Sequence, residues 1–88
     1  MPANPPRIEF PCEYPIAVVG EAAADFRAMV ETIVERHAPG FPRELITVRE
    51  SGAGRWVSVR LTIRATGEAQ LAALFAELKG TGRVQTVL

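Results

Sequence analysis

The sequence is poor in the residues that most catalytic and metal chemistry draws on. Its 88 residues hold one cysteine, Cys12, and one histidine, His37. A single cysteine excludes an intrachain disulfide and fits a reducing compartment. One cysteine and one histidine fall short of the ligand set of a zinc site. No spacing sets two carboxylates up as an acid–base pair. Glu31 and Glu35 fall on the outer face of an expected helix, with Arg27 four residues before Glu31, which is the pattern of a solvated charge stripe. His37 falls at the end of that helix, where a base complements the helix dipole. The expectation is a protein that is not an enzyme, with no metal and no cofactor.

Other absences narrow the class further. No apolar run approaches the roughly 20 residues needed to cross a bilayer. Residues 1–11 carry Pro2, Pro5, Pro6 and Pro11 in place of the apolar segment of a signal peptide. The expectation is a cytoplasmic protein without a membrane partner. Ten basic residues balance ten acidic ones, so the formal net charge is zero. There is no global pull toward nucleic acid or anionic lipid. Lys79 is the sole lysine, and every other base is an arginine.

Against this background the pattern of apolar residues stands out. Val57, Val59, Leu61 and Ile63 alternate with Trp56, Ser58, Arg60 and Thr62, and Arg64 extends the second set. Period-two alternation predicts a strand with one buried and one solvated face. An earlier strand is expected over 13–19, rich in Ile16, Val18 and Val19 and ended by Gly20. A helix over 21–37 follows, with Phe26, Met29, Val30, Ile33 and His37 on one stripe. Glu21 and Asp25 lie near its start, and Ala38-Pro39-Gly40 stops it. A second strand is expected over 45–50, and Ser51-Gly52-Ala53-Gly54 reads as a hairpin loop. That glycine-bearing segment runs into a strand and lacks a Lys-Ser/Thr ending, so it does not read as a phosphate cradle. Thr66-Gly67 reads as a turn and N-cap, 68–79 as a helix with stripe Leu71, Leu74, Phe75 and Leu78, and Gly80 as its cap. The last strand is expected over 84–88, at a sheet edge.

The order is β-α-β-β-α-β. Right-handed crossovers place both helices on one face of a four-stranded antiparallel sheet, an α+β ferredoxin-like sandwich. The expected organisation is a flexible proline-rich arm over 1–11 and a single ferredoxin-like domain over 12–88. The inward set is Ile16, Val18, Ile46, Val48, Val57, Val59, Leu61 and Ile63, with the two helix stripes. Val19 and Val87 are expected on the outward face.

Several segments resemble the YbeD-like family of small bacterial proteins. They are Pro15-Ile16-Ala17-Val18-Val19-Gly20, His37-Ala38-Pro39-Gly40, Ser51 with Gly54-Arg55-Trp56-Val57-Ser58-Val59, Leu71, Leu74-Phe75-Ala76-Glu77-Leu78, and Val87-Leu88. The resemblance covers nearly the whole chain after the proline arm. It implies a ferredoxin-like fold similar to the ACT regulatory domains of amino-acid metabolism, no enzymatic activity and no established active-site residues. Where the family commonly has tyrosine or phenylalanine, this chain has Trp56.

Three readings of the solvated sheet face follow. One is a regulatory or adaptor surface for a protein partner or a second copy, with Trp56 as anchor and Arg60, Arg64 and Arg49 around it, since tryptophan and arginine are typical of contact hot spots. The second is an ACT-like amino-acid sensor with its ligand at the turn of Gly20 and Glu21. Gly20 permits close backbone approach, although the Glu21 charge opposes an anion there. The third is a weak single-stranded RNA binder, because RNA-binding domains share this element order. The first strand offers Ala17 and Val19 where such domains carry stacking aromatics, which disfavours nucleic acid.

Overall fold

The structure is a computed structural model and describes residues 9–88. Residues 1–8 of the expected proline-rich arm lie outside the described residues. The elements run β1 (Cys12–Glu21), α1 (Phe26–His37), a 3-10 turn (Arg43–Leu45), β2 (Thr47–Ser51), β3 (Trp56–Ala65), α2 (Glu68–Gly80) and β4 (Val84–Val87). The strands form one antiparallel sheet in the order β2-β3-β1-β4. This is the ferredoxin-like βαββαβ sandwich that the element order implies, with β2 and β4 as its edges.

The alternation in β3 sets the layering. Val57, Val59, Leu61 and Ile63 are buried and pack with Ile16 and Val18 of β1, Phe26, Val30, Ile33 and Val34 of α1, and Leu71, Leu74 and Leu78 of α2. Fully burying each large aliphatic contributes about 1.5–3 kcal/mol. The register pairs buried with buried across the sheet, as in Val18 opposite Val59 and Ile16 opposite Leu61. The two helices are also joined at their polar rims. The Glu77 carboxylate lies 2.7 Å from His37 Nε2 and pairs with Arg36. Gln70 Nε2 donates to the His37 carbonyl at 2.8 Å, while its Oε1 accepts from the Thr66 N–H. His37 thus links the helices as well as facing a helix end.

Four expectations need correction. The helix expected from Glu21 begins at Phe26, because β1 continues through Gly20 and Glu21, which pair with Val57 and Trp56. Strand pairing outweighs the helix propensity of Ala22, Ala23 and Ala24, and the Ala22 N–H donates to the Arg55 carbonyl at 2.9 Å. Val48 has the inward register, opposite Val59, yet is 44% exposed, because the edge strand β2 extends beyond the cover of the helices. Val87 is not on the outward face: it pairs with Val18 and packs against the core. Finally, Gly80 is the last residue of α2, and the left-handed backbone falls at Gly82, with φ +74°, whose N–H donates to the Lys79 carbonyl.

Candidate functional site

Both helices lie on one side of the sheet, so among the described residues the other face is bare. Along β1 it presents Glu13, Pro15, Ala17, Val19 and Glu21, directly opposite Arg64, Thr62, Arg60, Ser58 and Trp56 of β3. Arg49 and Thr47 of β2 extend the rows, opposite Ser58 and Arg60. On the other side Thr86 pairs with Val19, and Leu88 exchanges two backbone hydrogen bonds with Ala17, at 3.0 and 2.8 Å. A lane of small apolar side chains on β1 therefore runs beside a lane of arginines on β3 and β2.

The apolar lane opens into a shallow depression of about 330 Å3, lined by Pro15, Ala17, Leu45, Arg60, Thr62 and Leu88 among others. Leu45 and Leu88 bracket it from opposite sheet edges and are 59% and 75% exposed. The sequence pattern does not show this pair. Leu45 reads there as the first residue of the second strand, but it ends the 3-10 turn that precedes β2.

The charges on the two sides of the sheet are arranged differently. On the helix side Arg27 pairs with Glu31, Arg36 with Glu77, Arg43 with Glu31 and Glu35, and Arg83 with Asp25. Among the described residues none of Arg49, Arg55, Arg60 and Arg64 has a carboxylate within ion-pairing distance. All four belong to the β2–β3 hairpin.

The structure brings together two residues that the sequence assigned to separate sites. Glu21 lies opposite Trp56 at one end of the sheet. Both line a cavity of about 330 Å3 with Ala22, Ala23, Gly82, Arg83, Val84 and Gln85. Trp56 is half-buried. The Arg55 guanidinium sits 5.8 Å from its ring centre, a cation–π distance. Gly52, at φ +60°, makes room for the ring: a Cβ there would come 2.9 Å from Trp56 Cδ1. Gly20 is buried and faces inward. A Cβ on it would meet the Arg83 carbonyl at 2.3 Å and the Phe26 ring at 2.6 Å. The close approach that Gly20 permits is made by the chain's own β4 lead-in and α1.

Beside this cavity the Arg83 guanidinium donates to both Asp25 oxygens, at 3.1 and 2.6 Å. Those hydrogen bonds hold the Asp25 carboxyl below its usual range and raise Arg83. Among the described residues no cluster of three or more His, Cys, Asp or Glu could hold a metal ion. No helix among them is long and apolar enough to cross a membrane.

A family described as "Protein of unknown function (DUF493)" matches residues 5–88. A UPF0250 protein of Pseudomonas aeruginosa is 49% identical over 86 residues, covering 97% of this chain and 92% of that protein. The chain belongs to the DUF493/UPF0250 family. A UPF0250 protein of Azotobacter vinelandii is 46% identical over 94% of the chain and 91% of its own length. This is the family whose YbeD-like segments the sequence shows. Solved structures place DUF493 among ACT-like folds. A solution structure of a protein from H. pylori superposes with a TM-score of 0.72 at 16% identity, over 100% of this chain and 94% of its own. The crystal structure of the ACT domain from GTP pyrophosphokinase of Chlorobium tepidum gives 0.67 at 18%, over 86% of this chain and 94% of its own. At these identities the likeness is one of fold, and a shared fold does not fix a shared site.

Proposed function

We propose that this DUF493 protein works by binding rather than by catalysis, as a regulatory or adaptor domain whose contact surface is the bare sheet face. The observation that supports it most is that face itself. Two strongly exposed leucines, Leu45 and Leu88, flank a lane of small apolar residues that no element among the described residues covers. Large apolar side chains gathered on one uncovered face mark contact sites more often than chance surface composition does. Arg60, Arg64 and Arg49 border the lane and Trp56 ends it, the residue types that dominate contact energies. The test compares proteins retained by the wild-type chain with those retained by Trp56→Ala and by Leu88→Asp. Loss of a common partner from both variants, with melting temperatures unchanged, supports the face. Identical partner sets reject it.

A second reading rests on the cavity where Glu21, Trp56 and Arg83 meet. Its volume of about 330 Å3 is that of a small-molecule site, and the fold likeness to an ACT domain makes a sensor role a coherent alternative. A ligand at 100 times its Kd stabilises by about 2.7 kcal/mol. A panel of amino acids should then raise the melting temperature. No shift across the panel removes this reading.

A further inference from the structure

We infer that the occupant of the bare sheet face is an acidic amphipathic helix of a partner protein, lying along β1 with its carboxylates over the arginines of β3 and β2. The inference rests on the contact reading above and adds the chemistry of the partner.

The geometry comes from strand spacing. Neighbouring strands lie about 4.8 Å apart, so the arginines of β3 and β2 stand about 5 and 10 Å to one side of the apolar lane. A helix with side chains is about 10–12 Å across. With its apolar stripe on Ala17, Val19 and Leu88, side chains on one flank come over Arg60 and Arg49. Pro15 and Ala17 are short enough to let a helix settle close to the sheet. At that flank a carboxylate meets a guanidinium without displacing an acid of this chain, because Arg49, Arg60 and Arg64 have no ion-pair partner among the described residues.

Charge also separates this occupant from its competitors. A second copy stacked on the face about an axis across the strands would set one arginine lane against another. A nucleic acid strand following β1 would meet Glu13 at one end and Glu21 at the other. A helix avoids the second objection where its acids lie mid-flank over Arg60 and Arg49, clear of Glu13 and Glu21 at the two ends of the lane.

The probes are three synthetic 18-residue helical peptides with the same leucine–alanine stripe. Their flanks carry glutamate, glutamine or lysine, and each has a photo-crosslinker at its centre. Binding to the full chain is read from Trp56 fluorescence, since Trp56 is the only tryptophan in the sequence, and the attachment point is mapped by mass spectrometry. The glutamate peptide should bind about five- to tenfold more tightly than the glutamine one, as expected for two or three exposed ion pairs. Its advantage should shrink with added salt, and it should crosslink to β1 or β4. The paired change Arg60→Glu and Arg64→Glu should transfer the preference to the lysine peptide. Equal binding of the glutamate and glutamine peptides at β1 overturns the inference while leaving the contact reading intact. Attachment on α1 or α2 overturns both. Binding of none of the three, or attachment of one copy of the chain to another, overturns the inference.

Discussion

Asp25, one residue before α1, is held at both carboxylate oxygens by Arg83, one residue before β4. This contact joins the loop after β1 to the loop after α2, beside the Glu21–Trp56 cavity. The Asp25 carboxyl is lowered by its hydrogen bonds to Arg83, so the folded state favours the ionised form. That contribution is complete at pH values above the usual carboxylate range and fades as the pH falls through the lowered value. The pH dependence carried by Arg83 lies above the working range, since its hydrogen bonds to Asp25 raise it further above the usual arginine range. Asp25→Asn should therefore melt slightly below wild type at neutral pH, and the two curves should converge in acid. Both groups are solvated, so the effect is small and weakens with salt. Parallel melting curves at every pH would show that the pair contributes nothing.

Gly20→Ala should destabilise the fold by about 1–3 kcal/mol, the usual range for overpacking. The added Cβ meets a backbone carbonyl at 2.3 Å and an aromatic ring at 2.6 Å, and neither is the free end of a flexible side chain. Urea unfolding monitored by circular dichroism measures this. A midpoint equal to wild type would mean that β4 moves away without cost.

Val59 and Val48 face each other across β3 and β2 on the same side of the sheet, yet one is 0% and the other 44% exposed. Val59→Asp should abolish cooperative unfolding, because an unpaired carboxylate in the core costs several kcal/mol. Val48→Asp should change stability by about 0.5 kcal/mol or less, as surface changes usually do. Equal damage from the two would show that β2 is more deeply covered than the structure has it.

Ala53 holds φ +57° in the β2–β3 turn, between Gly52 and Gly54, which also have positive φ. A left-handed alanine costs about 1–2 kcal/mol, and glycine returns about 0.5–1 kcal/mol of that as extra chain entropy. Ala53→Gly should be neutral or stabilising by up to about 1 kcal/mol, seen as a higher melting temperature.

Much of this architecture can be read from the residues because it depends on period. Val57 to Ile63 fixes β3, its face and its central place, and the stripes Phe26–Val30–Ile33 and Leu71–Leu74–Leu78 fix both helices. What cannot be read depends on partners distant in sequence. The helix propensity of residues 22–24 misplaces the start of α1, because only the β1–β3 register shows that Glu21 belongs to a strand. The sequence pattern puts Val48 inward and Val87 outward, yet Val48 is the more exposed of the two. Their exposure follows from which edge the helices cover. The candidate face is legible in part. Arg49, Arg60, Arg64 and Trp56 follow from alternation, whereas Leu45 and Leu88 meet there only because the sheet order puts them at opposite edges. Ion-pair segregation cannot be seen in the sequence, since each acid–arginine choice is made in three dimensions.

The order β2-β3-β1-β4 also bears on how the chain becomes a sheet. The first of the described strands to be synthesised, β1, occupies an inner position, and both its neighbours come much later, β3 from Trp56 and β4 from Val84. On a ribosome the β2–β3 hairpin and the helices can form locally, while β1 stays unpaired until the first long-range ladder closes. Such non-local closure is the slow step in small mixed folds. Until then the backbone of Ile16-Ala17-Val18-Val19 is an open apolar strand, the type of segment that aggregates when pairing is delayed.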